Sequence, residues 1–130
     1  MTILKKQNLI TTLNKLRKLK KKIVMCHGVF DVLHLGHVKH FEEAKKLGDI
    51  LIVSVTSNKY VNKGFERPYF DTRTRMETIL SLSCVNFVVE SDSATAEKNL
   101  KLIKPNFYVK GPDYKKKPDI TQNLIKEKKI

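Results

Sequence analysis

Cysteine is scarce in this chain of 130 residues: there are two, Cys26 and Cys84, far apart in sequence. With no Cys-x-x-Cys pair and no His/Cys ligand spacing, they exclude a disulfide framework and a zinc finger, and they fit a reducing cytoplasm. The N-terminus lacks the apolar core of a signal peptide. Apolar runs such as Ile50 to Val53 are far too short to span a bilayer, so no membrane role is expected. Acidic residues are also few, with 13 Asp+Glu against 26 Lys+Arg, a formal charge of +13. That excess favours polyanions such as nucleoside triphosphates, sugar phosphates or nucleic acid. The lysines are scattered, as on solvated helix faces, and no aromatic-interleaved basic stripe accompanies them, so a nucleic-acid role is not expected.

The length and the 41% apolar content suit one compact domain with a real core. Ile3, Leu9, Ile10, Leu13, Leu16 and Leu19 recur near helical spacing between lysines, which predicts that residues 1–22 form an amphipathic helix leading into a domain over 23–130. Ile23 to Cys26 reads as a buried central strand, and helical spacing follows from Leu35 to Leu47, with Val38, Phe41, Ala44 and Leu47 facing inward. A second strand is expected at Ile50 to Thr56. Ser57 to Asp71, polar and containing Gly64 and Pro68, reads as a loop over the site. Asp71 or Thr72 then caps a helix to Leu82, followed by a strand at Asn86 to Val89, a helix from Ala94 to Ile103 and a strand at Phe107 to Val109. This alternation predicts an α/β, Rossmann-like doubly wound parallel sheet built from right-handed βαβ units. Ligands of such sheets sit beyond the C-terminal strand ends at the switch point.

Gly28-Val29-Phe30-Asp31-Val32-Leu33-His34-Leu35-Gly36-His37 falls where the first of these strands turns into its helix. Free backbone N–H groups and the positive end of the helix dipole are expected to face out there, and a glycine lets a phosphate approach. His34 and His37, three apart around Gly36, can aim both rings into one pocket. Donors fixed where charge grows on a phosphate in transfer lower the barrier without a covalent intermediate. His40 extends a His-x-x-His-x-x-His row, but the three spread around a helix with no carboxylate or cysteine to complete a tetrahedron, so no metal site is expected. Phe30 is expected in the core, Asp31 bracing the turn by accepting backbone N–H bonds, His27 orienting the turn, and Arg73 on the surface.

The string Gly-x-Phe-Asp-x-x-His-x-Gly-His, followed by Ala44-Lys45-Lys46-Leu47-Gly48-Asp49-Ile50-Leu51-Ile52-Val53, resembles the cytidylyltransferase-like nucleotidyltransferases, relatives of the class I aminoacyl-tRNA synthetases. Val109-Lys110-Gly111-Pro112-Asp113-Tyr114 is most similar to the Lys-Gly-Gly-Asp-Tyr signature of the adenylyltransferase half of bifunctional ADP-heptose synthases, with proline at the second glycine. Glycerol-3-phosphate cytidylyltransferases more often carry a Gly-Asp-Asp-Trp-like string there, which makes CTP the second choice after ATP. The resemblance implies transfer of AMP from ATP to a sugar 1-phosphate with Mg²⁺ and release of pyrophosphate. The alternatives are a cytidylyltransferase using a polyol phosphate such as glycerol 3-phosphate, or a non-catalytic nucleotide-binding module. It further implies catalytic His34 and His37, a nucleotide held by Gly28, Val29, Phe30, Gly36, Lys110, Gly111 and Asp113, and phosphates met by Lys63, Arg67 and Arg75. A sugar kinase, fused or separate, and a second copy of the chain are the protein partners to expect. Relatives continue into a fifth strand and a Ser-Thr-rich turn that helps hold the triphosphate. This chain ends at Lys128-Lys129-Ile130, where that strand would begin, so either a fragment or an incomplete phosphate site is expected.

Overall fold

The computed structural model describes residues 2–61 and 67–110. Five strands run parallel in one sheet: β1 (Thr2–Leu4), β2 (Ile23–Gly28), β3 (Ile50–Thr56), β4 (Phe87–Ser91) and β5 (Phe107–Tyr108), in the order β1-β4-β3-β2-β5. Between them lie α1 (Lys6–Lys18), α2 (Leu35–Lys45), a short 3₁₀ turn at Asn58–Tyr60, α3 (Thr72–Leu80) and α4 (Glu97–Ile103).

Alternation along the strands divides the core into two layers, because successive side chains leave a strand on opposite faces. Ile23, Met25 and Ile52 pack with Leu9 and Leu13 of α1 and Leu100 and Ile103 of α4. Val24, Cys26, Leu51 and Val53 pack with Phe41 and Ala44 of α2 and Met76 and Ile79 of α3. The central strands β2 and β3 are therefore apolar on both faces over Ile23–Cys26 and Ile50–Val53, and there they read as continuous hydrophobic runs. Their register, Ile23 opposite Ile50 through Gly28 opposite Val55, brings the ends of β2 and β3 level. That common C-terminal edge carries the turn with the two histidines. The reversal of winding between β2 and β5 puts the switch point beside it.

Three expectations are corrected. The N-terminal segment is not one helix: Thr2–Leu4 is an edge strand on β4, pairing Ile3 with Val88, and α1 starts only at Lys6. Leu47 is 49% exposed, because α2 ends at Lys45 before the turn into β3. The last helix begins at Glu97, not Ala94, with Ala96 at its N-cap. The segment in which a further C-terminal strand or its absence was expected lies outside the described residues. Among the described residues, no helix is long and apolar enough to cross a membrane.

Candidate active site

The turn after β2 places His34 as the N-cap of α2, in extended backbone geometry. Its Nδ1 accepts the Gly36 N–H at 2.9 Å, while Nδ1 of His37 accepts the His34 N–H at 3.2 Å. The two imidazoles thus cap the helix reciprocally, as Ser and Glu do in an ordinary capping box. A ring nitrogen that accepts carries no proton, so the neutral rings hold theirs on Nε2. Of the backbone N–H groups expected to face out at this turn, those of His34 and Gly36 are taken up by the rings. The two ring centroids stand 4.1 Å apart. Gly36 is needed here for the histidine itself, since a Cβ would lie 2.6 Å from Cε1 of His34.

Phe30 supports this arrangement from below. It has a φ of 52°, a left-handed conformation that few non-glycine residues adopt. Its ring stands edge-on to His37 at 5.7 Å and to Phe41 at 5.1 Å. A Cβ on Gly28 would meet that ring at 2.7 Å. Phe30 is thus the packing residue expected, and it transmits the position of the α2 core to the His37 ring.

Asp31 braces, but not its own turn. Its buried carboxylate accepts the N–H groups of Tyr69 at 2.7 Å and Phe70 at 2.9 Å, together with Nε of Arg67 at 2.9 Å. Burial alone would raise its pKa; the bonds from Phe70, Tyr69 and Arg67 outweigh that and hold it below the usual carboxylate range. Arg67, expected at a phosphate, has its Nε on Asp31 and its guanidinium carbon 4.5 Å from the ring centre of Tyr69.

Arg75 departs furthest from expectation. It is 2% exposed, and every N–H of its guanidinium meets a protein acceptor. Nε donates to the Phe70 carbonyl, Nη1 to the carbonyls of Val29 and Thr56, and Nη2 to Asn58 Oδ1 and, at 3.4 Å, to Thr72 Oγ1. With its fork saturated it has no donor left for a phosphate, and its work is to join four segments. Val29, expected at the nucleotide, contributes its carbonyl to this same knot.

Lys110 follows β5 at the sheet edge, half-buried, and burial lowers its ammonium pKa from the ordinary value. Lys63, Gly111 and Asp113 lie outside the described residues. His27 does not orient the turn. It sits on β2 with Nδ1 2.9 Å from Ser54 Oγ, and Ser54 Oγ in turn accepts from Asn99 Nδ2 at 2.8 Å. Burial lowers the His27 pKa to about 4, so this imidazole is neutral in ordinary buffers. Sequence reasoning missed this network, although a serine inside the apolar run of β3 was a signal for it. His40 Nε2 stands 3.9 Å from Sγ of Cys26, a thiol that burial pushes up to about 12 and so keeps unreactive. Among the described residues no group of three or more His, Cys, Asp or Glu could hold a metal ion.

The family model described as cytidylyltransferase-like matches residues 25–130. Over 117 residues the chain is 42% identical to the bifunctional protein HldE of Nitratiruptor sp., covering 88% of this chain and 25% of that protein. With the HldE of Campylobacter jejuni it shares 40% identity over 122 residues, 92% of this chain and 26% of the other. The chain therefore spans about a quarter of the length of these curated relatives. The crystal structure of a lipopolysaccharide core biosynthesis protein from Thermoplasma volcanium superposes with a TM-score of 0.70 at 32% identity, over 85% of this chain and 90% of that one. A pantoate-beta-alanine ligase from Francisella tularensis, at 20% identity and a TM-score of 0.58 over 98% and 61% of the two chains, shares the fold.

Proposed function

The chain belongs to the cytidylyltransferase-like family of nucleotidyltransferases, and from that premise we propose that it transfers AMP from ATP to a sugar 1-phosphate, releasing pyrophosphate. The observation that carries this reading is the reciprocal histidine cap at the C-terminal sheet edge. An acceptor phosphate oxygen attacks the α-phosphorus, the bond to the bridging oxygen breaks, and negative charge grows on that oxygen and on the α-phosphate oxygens. In this reading the rings of His34 and His37, held in place by their own cap, donate Nε2–H groups to that charge. The positive end of α2 adds to the attraction.

In this reading Lys110, with Gly111 and Asp113, meets the base and ribose, while Lys63 and the outer nitrogens of Arg67 meet phosphates. Mg²⁺, arriving with the triphosphate, would neutralise phosphate charge; among the described residues no group of three or more His, Cys, Asp or Glu could hold it, and Asp31 already accepts three hydrogen bonds. The role of the Thermoplasma relative in lipopolysaccharide core biosynthesis supports a sugar phosphate as acceptor, and a sugar kinase is then the activity that supplies it.

Pyrophosphate release by the purified protein, with Mg²⁺, a sugar 1-phosphate and either ATP or CTP, tests the proposal. Turnover with ATP preferred is the expected result. Use of CTP at least tenfold better moves the function to a CDP-linked product, and no binding of any nucleoside triphosphate removes the enzyme reading.

A further inference from the structure

Two opposite charges behind the histidine turn close on a single residue. The Phe70 N–H donates to Asp31 at 2.9 Å, and the Phe70 carbonyl accepts from Nε of Arg75, also at 2.9 Å. Both backbone polar groups of Phe70 are thereby held, one by each charge. Asp31 lies within the turn itself, three residues before His34. Arg75 grips the same turn through the Val29 carbonyl at 2.9 Å and the end of β3 through the Thr56 carbonyl at 2.7 Å. Residues 67–70, the turn and the strand end cannot shift past one another without breaking a charge-assisted bond.

We propose that Asp31 and Arg75 are positioning residues that form a latch: they hold residues 67–70 against the turn and so set where the His34 and His37 rings stand relative to a bound α-phosphate. The inference rests on the nucleotidyl-transfer reading and deepens it. Neither residue touches the reacting atoms. Both act through backbone, and the chemistry is specific to them. Lysine at 75 keeps the charge but offers donors from one point, which cannot span carbonyls on three segments. Asparagine at 31 turns an N–H group toward the backbone donors of Tyr69 or Phe70, leaving one of them unpaired. Small displacements of a positioned donor translate into large rate losses.

Arg75→Lys, Asp31→Asn and the double variant test the latch in the whole protein. Three readouts are compared with the parent: the ¹⁵N imidazole signals of His34 and His37, amide exchange at Tyr69 and Phe70, and kcat beside the Kd for ATP. The expected result is displaced imidazole signals, faster exchange at both amides and a kcat lowered about 10- to 100-fold, with Kd changed less than about threefold. The double variant is expected to be no worse than the more damaged single one, because both act on Phe70. Arg67→Gln removes only one of the three donors to Asp31 at a partly exposed position. It is expected to fold and to displace the imidazole signals in smaller measure, which keeps the test alive if the other variants do not fold. A lowered melting temperature with imidazole signals and kcat at parental values overturns the latch, as do losses that multiply in the double variant. The signal and exchange readouts need no turnover, so a protein inactive with every nucleotide removes the enzyme reading and leaves these two to judge the latch.

Discussion

The histidine cap and the Asp31–Arg75 cluster share one sheet edge and are bonded in opposite styles. His34 is exposed, and its Nδ1 takes one local N–H, two residues away. Arg75 is buried and gives all five of its N–H groups to protein acceptors, as far off as Val29, 46 residues back along the chain. A local cap uses one acceptor atom of an exposed ring, whereas holding segments together consumes every donor of a buried guanidinium. Two kinds of cationic or polar motif residue, equally suggestive in sequence, are separated by that one property.

The comparison breaks most visibly if Arg75 can be removed without harm. Arg75→Ala removes the charged donor to the part-buried carbonyl of Val29 and the buried carbonyl of Thr56, and leaves Asp31 with Arg67 as its partner. Denaturant unfolding is expected to show a loss of about 3–5 kcal/mol, and a loss below 1 kcal/mol would mean that the knot is incidental.

On the other side stands His34→Asn. Asparagine is a good N-cap, so stability is expected to change by less than about 1 kcal/mol. Without the Nε2–H, kcat is expected to fall about 10²-fold, with a smaller change in nucleotide affinity. Equal losses in binding with none in turnover would reassign the ring to ground-state binding.

His27 sharpens the contrast, as a half-buried polar group that stays neutral where Arg75 stays charged. Its folded pKa of about 4 lies below the unfolded value near 6.5. Between these values the unfolded chain binds a proton that the folded one refuses, so stability falls as pH drops, by on the order of 3 kcal/mol across the whole window, and is flat in this respect above it. Asp31 behaves differently. Its contribution is present above the ordinary carboxylate pKa and is lost only as pH falls through its depressed value, below the His27 window. Urea titrations at pH 7 and pH 4.5 measure the His27 effect, and His27→Gln is expected to flatten it.

The smallest effect is expected at Arg73, which neighbours Arg75 in sequence but forms an exposed pair with Glu77 at 3.0 Å. Arg73→Ala is expected to change stability by no more than about 0.5 kcal/mol. A larger loss would show that exposure does not distinguish the two arginines.

How legible each feature was follows the range of the contacts that make it. The turn at 34–37 could be read because a helix start is decided by residues within one turn of each other. The strand at Ile50–Thr56 was bounded correctly because its mostly apolar run, rich in β-branched residues, is broken only by Ser54 and ends at Thr56. Thr2–Leu4 was absorbed into a helix: Ile3 continues the apolar spacing of α1, and the partner that makes it a strand, around Val88, is remote in sequence. Asp31 was recognised as a brace, but its partners Tyr69 and Phe70 are 38 and 39 residues on.

By itself, then, the sequence determined the family, the parallel α/β sheet and the pair of histidines at its edge, because hydrophobic period, helix capping and motif spacing are short-range properties of the chain. The tertiary structure alone decided that Arg75 is buried and saturated, that His27 joins Ser54 and Asn99, and that the two Nδ1 atoms face backbone. Those outcomes depend on which carbonyls and hydroxyls arrive from distant segments, and the cost of leaving a buried polar group unpaired selects among them only once the layers have packed.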